Sequence, residues 1–373
     1  MSYVVPVPTA KSGHVAPFHH TNMPHTNSTE QRPIRPVLLP EWGCVKCVQL
    51  TWPHEHTDWN YMLTEVTDCY IQLAYAIASR VKLLIVAPNA EDVQRLLSTK
   101  LPHYVVEQIT FFKCPTNDTW ARDHGVITCA EPDGSLQLLD FRFNGWGGKF
   151  EASLDNQITK KLYDAQILKG NYVDHLDFEL EGGSIESDGE GTLLTTSECL
   201  LNPNRNPNLT KEEIEKRLKE WFGLERILWL DHGYLAGDDT DSHIDTLARL
   251  CPNNTIAYVQ CSDTTDEHYE ALKAMEEQLK TFTTKEGTPY RLVPLPMAAP
   301  AYDEEGERLP ATYANYLVVN NAVLYPTYNT PDLDECAKKQ LSVAFPGYEL
   351  IGIDCSALIR QHGSLHCATM QLY

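Results

Sequence analysis

An amphipathic helical pattern followed by a short apolar strand recurs five times along the chain, and this repetition restricts the fold more than any other feature of the sequence. Apolar residues three and four apart predict helices near 58–80, 155–168, 211–222, 267–281 and 331–345. The third is the best marked, because Thr210 and Glu213 form a capping box ahead of Ile214, Leu218, Trp221 and Phe222. Strands are predicted after the helices at 82–87, 167–172, 226–230, 291–296 and 348–353, and apolar runs at 45–52, 255–261 and 315–325 predict strands ahead of them. No Gly/Ser or Pro linker separates the units, and their spacing is too irregular for a sequence repeat. One α/β domain of five loosely similar units is the simplest reading, although a doubly wound sheet satisfies the same periodicity.

The charge balance narrows the partners. With 51 acidic and 30 basic residues the formal net charge is -21, a field that repels nucleic-acid phosphates and anionic membrane surfaces and attracts small cations. The eleven cysteines are odd in number and scattered, unlike a secreted disulfide scaffold, which predicts reduced thiols and a cytoplasmic protein. Residues 1–34, rich in Pro, His, Thr and Asn, lack the charged-then-apolar pattern of a signal peptide and read as a tail or lead-in segment to a single domain over 35–373. No apolar run approaches the ~18 residues of a membrane span.

Four stretches concentrate reactive side chains, and each falls in a different unit. They are Asn117-Asp118-Thr119-Trp120-Ala121-Arg122-Asp123-His124-Gly125, Leu180-Glu181-Gly182-Gly183-Ser184, Asp238-Asp239-Thr240-Asp241-Ser242-His243-Ile244-Asp245 and Gly363-Ser364-Leu365-His366-Cys367. Taken singly, each has an ordinary structural reading. Asp123 can be a turn residue paired with Arg122, Glu181 a surface turn before glycines, and Cys367 an inert buried thiol. His243 and Asp245 alternate as same-face strand neighbours do. If the units surround a common axis, however, positions just beyond their closing strands converge.

Together with Phe143-Asn144-Gly145-Trp146-Gly147-Gly148, Asp188-Gly189-Glu190-Gly191-Thr192 and Cys199-Leu200-Leu201-Asn202, these stretches resemble the agmatine deiminase family of the guanidine-modifying (pentein) superfamily, relatives of bacterial peptidylarginine deiminases. The resemblance implies a five-bladed α/β propeller of ββαβ units with pseudo-fivefold symmetry and a cofactor-free, metal-free hydrolase of linear amidine C–N bonds. It implies Cys367 as nucleophile, His243 as general acid and base, Glu181 hydrogen-bonded to that imidazole, and Asp123 and Asp245 as clamps on the guanidinium. Carboxylates suit a planar cation because they accept paired hydrogen bonds while balancing its charge, and a thiolate supplies the nucleophile that a resonance-stabilised carbon demands. Trp120 would wall the cation by a cation–π contact and Asp239 would bind the far end of the substrate.

The implied substrate is agmatine, converted to N-carbamoylputrescine and ammonia in polyamine synthesis. The resemblance to bacterial peptidylarginine deiminases puts basic anchors for a carboxylate in the stretch matching 144–148, where this chain has Gly145 and Gly147, and Asp238, Asp239 and Asp241 favour a second cationic end. Arginine or peptidyl-arginine is the alternative. The chain departs from the family in three places: 361–366 replaces a glycine run followed by Asn, Thr246 replaces Asn, and Glu186 stands where His is common. A rival of another class is a metal-dependent ureohydrolase using Asp241, His243 and Asp245 on one strand face, although Cys44 and Cys47 find no companion pair at zinc spacing. A homodimer is the expected assembly.

Overall fold

Parallel neighbouring strands need a crossover between them, and the five predicted helices serve that purpose. In the computed structural model, which describes residues 35–373, Leu63–Ala78, Ile158–Asp164, Lys211–Phe222, Tyr269–Leu279 and Pro331–Ala344 each connect two parallel strands of one small sheet. The tail expected over 1–34 lies outside the described residues.

Apart from a two-stranded ribbon of Ala301–Tyr302 and Arg308–Leu309, the described residues form five sheets of one order: a first strand antiparallel to a second, and a third parallel to the second. Ile127–Ala130, Leu136–Arg142 and Asn171–Glu179 form one such sheet. Ile185–Ser187, Thr192–Thr196 and Arg226–Leu230 form the next. Ala248–Cys251, Thr255–Gln260 and Arg291–Pro296 follow, and then Leu317–Val319, Ala322–Thr327 and Glu349–Asp354. The remaining sheet joins distant parts of the chain: Thr369–Leu372 runs antiparallel to Cys47–Thr51, which is parallel to Lys82–Ala87. Ile109–Lys113 adds an edge to that sheet and Val37–Leu38 an edge to the Ile127–Ala130 sheet. The molecule is an α/β fold, and no helix of the described residues is long and apolar enough to cross a membrane.

Most predicted segments form where the pattern put them, and the exceptions have local causes. The strand expected at 167–172 begins instead at Asn171. The helix exits through Gln166 at φ 58°, and Leu168 is drawn into a small core with Leu84, Ile158 and Leu162. The single run expected at 315–325 is a hairpin, because Asn320 turns the chain at φ 51° and Val319 pairs with Ala322. An unpredicted helix, Ala90–Lys100, is mostly polar and buries only Ala90, Val93 and Leu97, too narrow a stripe to stand out from the sequence.

Each crossover packs one apolar face on its sheet. In Leu63–Ala78 the buried stripe is Val66, Tyr70, Leu73, Ala74 and Ile77, which shares a core with Leu83 and Ile85 of the adjacent strand; full burial of one such aliphatic side chain contributes about 1.5–3 kcal/mol. Lys211–Phe222 starts and stops on local signals. The Thr210 hydroxyl accepts from the Glu213 amide (3.3 Å), the Glu213 carboxylate accepts from the Thr210 amide (2.8 Å), and Gly223 closes the helix at φ 65°. Thr210→Ala should therefore cost ~1 kcal/mol. Urea unfolding should show the lower midpoint with an unchanged slope, and no loss would mean the cap is idle.

Candidate active site

The five sheets follow one another along the chain, so five loops connect the last strand of one to the first strand of the next. Every loop delivers a polar side chain two to four residues ahead of that first strand: Asp123 before Ile127–Ala130, Glu181 before Ile185–Ser187, Asp245 before Ala248–Cys251, Asn315 before Leu317–Val319 and Cys367 before Thr369–Leu372. His243 shares the loop of Asp245, and short helical turns at Ala121–His124 and Ile244–Thr246 hold two of the segments. The same offset from a repeated strand is what brings residues more than a hundred positions apart together.

Gly183 is the reference point of the cluster. A methyl group built there would lie 2.6 Å from His243 Nδ1, 2.8 Å from Asp123 Oδ1 and 3.1 Å from Asp245 Oδ2, so these three side chains crowd one spot that only glycine leaves open. Its neighbour Gly182 is required by the Arg122 carbonyl, 2.2 Å from the place of a β-carbon. The Cys367 thiol is 3.8 Å from Asp245 Oδ2 and accepts a hydrogen bond from Asn315 Nδ2 at 3.2 Å. Asn315 Oδ1 in turn accepts from the amides of His366 and Cys367, fixing the backbone that carries the sulfur. Asp123 is oriented by the Trp146 indole N–H (2.9 Å, to Oδ2) and the Gly183 amide (3.0 Å, to Oδ1), with His243 Nδ1 3.6 Å from that same Oδ1.

One expected contact is absent. Glu181 comes near His243, since carboxylate, imidazole and Cys199 thiol present atoms within 4.8 Å of one another. Its hydrogen bonds, however, go to Arg205, at 3.0 Å and 3.2 Å from Nε and 2.9 Å from Nη2. Both ring nitrogens of His243, and Asp245 Oδ1, are buried without a hydrogen-bond partner among the described residues. A guanidinium side chain outcompetes a neutral imidazole for a buried carboxylate, because it offers two charged donors in a matching plane.

Burial governs the electrostatics. It pushes the Asp123 carboxyl well above its ordinary range, with Asp245 and Glu181 adding to the effect. It likewise raises the Cys367 thiol, helped by Asp245 and Asp123, and pulls His243 down to about 3. These shifts leave Cys367 a thiol and His243 a neutral imidazole. Burial also lifts Asp245, but the hydrogen bond and charge of His366 overcome it and hold that carboxylate below its usual range.

A cavity of about 270 Å³ opens onto this cluster, lined among others by Asp123, Cys367, Trp120, Trp146, Phe150 and Asp239. Trp120 packs against Gly363, where a β-carbon would be 2.3 Å from the indole. Of the three acids expected to greet a second cation, only Asp239 lines the cavity, its pKa raised by burial to about 6. Asp238 accepts from Thr240 and Ser242, and Asp241 is bound by Lys149 and Arg205. The strand face expected to align Asp241, His243 and Asp245 does not form, because Asp241 and Ser242 adopt positive φ (65° and 62°) and the segment turns. Asp241 points to its cations and forms no ligand set with the other two.

The sequence reading missed Asn315, Trp146, Arg205 and His366. Asn315 fell at the first position of the strand expected over 315–325, and only the observed start of that strand at Leu317 returns it to the fifth loop. The others act through partners far away in sequence. Gly183→Ala should lower turnover about a hundredfold, the cost of displacing a reacting group by about an ångström, while circular dichroism stays native. Unchanged turnover would mean the three side chains do not act together.

The family profile of Porphyromonas-type peptidyl-arginine deiminases matches residues 37–372. A crystal structure of a Porphyromonas gingivalis protein provisionally named an arginine deiminase is 51% identical, covers 90% of this chain and 98% of its own, and superposes with a TM-score of 0.85. A cysteine-to-serine variant of C. jejuni agmatine deiminase with substrate bound is 43% identical, covers 91% and 96%, and has a TM-score of 0.83. A Marinomonas sp. (strain MWYL1) protein provisionally named an agmatine deiminase is 33% identical over 346 residues, 87% of this chain and 91% of its own. With a profile spanning the described fold and these relatives matched over nearly their full lengths, the chain belongs to the Porphyromonas-type peptidyl-arginine deiminase family.

Proposed function

We propose that this protein is an agmatine deiminase, a cysteine hydrolase that converts agmatine and water to N-carbamoylputrescine and ammonia. The observation that carries the reading is the meeting of Cys367, His243, Asp123, Asp245 and Glu181, from four inter-sheet loops, in one buried cluster whose Cys367 and Asp123 line an acidic, aromatic-walled cavity. The substrate-bound C. jejuni agmatine deiminase, 43% identical, supports the choice. We further propose that the five sheets surround a pseudo-fivefold axis as a five-bladed propeller, with residues 35–373 acting as one catalytic domain. A cytoplasmic homodimer is the assembly in which it would work.

The mechanism follows from the charge balance. A guanidinium entering between Asp123 and Asp245 brings the positive charge that both the buried carboxylates and the thiol lack, so it lowers the Asp123 and Cys367 pKa values together. Asp245 Oδ1, which has no hydrogen-bond partner among the described residues, gains one. Neutral His243 takes the Cys367 proton, the thiolate adds to the guanidinium carbon, and the imidazolium returns that proton to the leaving nitrogen, which departs as ammonia. Water then adds to the amidino-thioether carbon, losing a proton to His243, and the C–S bond breaks to give the ureido product and Cys367. Glu181, held by Arg205, keeps negative charge near the imidazole at the stage when it is cationic. Trp120 and Trp146 flank the cation, and Asp239 meets the primary ammonium end.

Anchors at 145 and 147 are excluded sterically as well as chemically. A β-carbon at Gly145 would be 2.1 Å from the Phe150 carbonyl, and one at Gly147 2.2 Å from Asn204. One observation favours arginine or peptidyl-arginine as a second reading: Arg360 lines the cavity and could meet a carboxylate. Its guanidinium is already engaged by the Tyr302 carbonyl at 2.9 Å and Glu304 at 3.7 Å, which leaves agmatine ahead.

Ammonia release from agmatine, arginine and a peptidyl-arginine, measured side by side, should favour agmatine by at least about tenfold in kcat/KM; a preference for arginine would transfer the assignment to the Arg360 reading. Cys367→Ser should abolish turnover of all three, and retained turnover would remove the proposed nucleophile. Because the Cys367 thiol is raised, its alkylation should be slow at pH 7 and climb through and beyond pH 9, whereas turnover should already proceed near neutrality. Peptide-resolved mass spectrometry of the Cys367 peptide after iodoacetamide treatment reads this directly, and an inflection near pH 6 would contradict substrate-assisted activation.

A further inference from the structure

We infer that Glu41 is a positioning residue for guanidinium binding, acting through His366 on the Asp245 clamp as a carboxylate–imidazole–carboxylate chain. The inference rests on the deiminase reading above and adds two residues to it. Glu41 does not line the cavity that Cys367 faces; with Arg122, Glu186, Gln371 and Tyr373 it lines a second cavity of about 50 Å³. It comes from the segment ahead of Cys47–Thr51, more than three hundred residues from His366 in sequence.

The geometry is continuous and almost dry. Glu41 Oε1 is 2.6 Å from His366 Nε2, and His366 Nδ1 is 2.7 Å from Asp245 Oδ2. The side chains of His366 and Asp245 are fully buried and that of Glu41 is 14% exposed. Asp245 Oδ2 is therefore occupied from behind while Oδ1 is left unpartnered, so the imidazole sets which carboxylate oxygen remains for a cation. The amide of His366 is fastened to Asn315, and the next residue is Cys367. One ring thus links the clamp to the segment that carries the nucleophile.

The protonation of that ring follows from its partners. Burial raises Glu41, but Arg122, His366 and Arg249 overcome it and hold the carboxylate well below its ordinary range. Arg122 Nη1 is 3.0 Å from Glu41 Oε1 and Arg249 Nη2 2.6 Å from Oε2. Asp245 is also held ionised. Ionised carboxylates only accept hydrogen bonds, so each ring nitrogen facing one must donate, and His366 stands as an imidazolium. Burial, Arg122 and Arg249 pull its pKa below the ordinary value, and Arg249 Nη2 also lies 3.0 Å from Nε2. The two carboxylates in direct contact oppose that pull, and Arg249 itself donates to Glu41, so the donor pattern decides. Farther out, Glu186, raised by burial to about 8, pairs with Arg249, and His243 faces Asp245.

Removing the Glu41 charge should let His366 lose its Nε2 proton and let the Asp245 pKa rise, so the clamp is protonated at a higher pH than in the native protein. Glu41→Gln should then move the acid limb of kcat/KM up by about one pH unit, a loss of about tenfold on that limb, expressed in KM more than in kcat. His366→Gln, which removes the imidazolium charge outright, should move the acid limb up at least as far, and the double variant should be no worse than His366→Gln alone. A Glu41 that merely anchors its segment would lower the melting temperature with an unmoved pH profile and additive effects, and that result would overturn the inference. Imidazole ¹⁵N spectra of the full-length protein test the chain without any substrate. His366 should carry two protected N–H protons at neutral pH in the native protein and one in Glu41→Gln, and a single proton in the native protein would also overturn it. If the native protein shows both protons yet releases no ammonia from any guanidinium substrate, the deiminase reading fails and the hydrogen-bonded chain remains.

Discussion

Desolvation of like charges is the constraint on which the rest depends. Asp123, Asp245 and Glu181 converge in a space where water cannot stabilise them, and a buried charge without a partner is among the most costly features a fold can carry. The molecule meets this cost from behind. Arg205 holds Glu181, while Arg122 and Arg249 surround Glu41 and reach Asp245 through His366. Toward the cavity the compensation stops, and Asp123, Cys367 and His243 remain in their uncharged or strained states. A guanidinium completes the balance, so binding energy and activation of the nucleophile come from the same Coulombic event.

The fold makes that imbalance sustainable. Every component is carried by a short loop whose far end is a sheet strand, and each sheet is packed by its own crossover helix. Carboxylates that repel one another must be held by the scaffold, and five independent anchors hold them more firmly than one flexible loop could. The glycines at 182 and 183 are the other half of the arrangement. Many glycines elsewhere serve positive φ, but these two serve close approach, because a single methyl would collide with the reacting groups or with the Arg122 carbonyl.

The departures from the family pattern acquire local explanations. His362, in the stretch where the resemblance leads one to expect a glycine run, adopts φ 64° and is held by a 2.6 Å contact between its Nδ1 and the Gly237 carbonyl. Glu186 forms an ion pair with the fully buried Arg249. Thr246 donates to the His243 carbonyl at 2.8 Å, closing the turn that carries the imidazole. His362 and Thr246 both line the cavity, whereas Glu186 does not.

Periodicity and capping determined the helices and most strands, since these depend on neighbours within a few residues: Thr210, Glu213 and Gly223 delimit their helix by contacts local to it. The clustered motifs, through the family resemblance they carry, pointed to Cys367, His243, Asp123, Asp245, Glu181, Trp120 and Asp239 as the residues to watch. Partner choice was beyond local information. That Glu181 pairs with Arg205 rather than with His243, that Asp241 turns toward Lys149, that Asn315 holds the sulfur and that Glu41 meets His366 are outcomes of competition among charges brought together by sheet pairing. Such competition depends on distances of a few ångströms between residues up to 325 positions apart, and only the folded chain sets those distances.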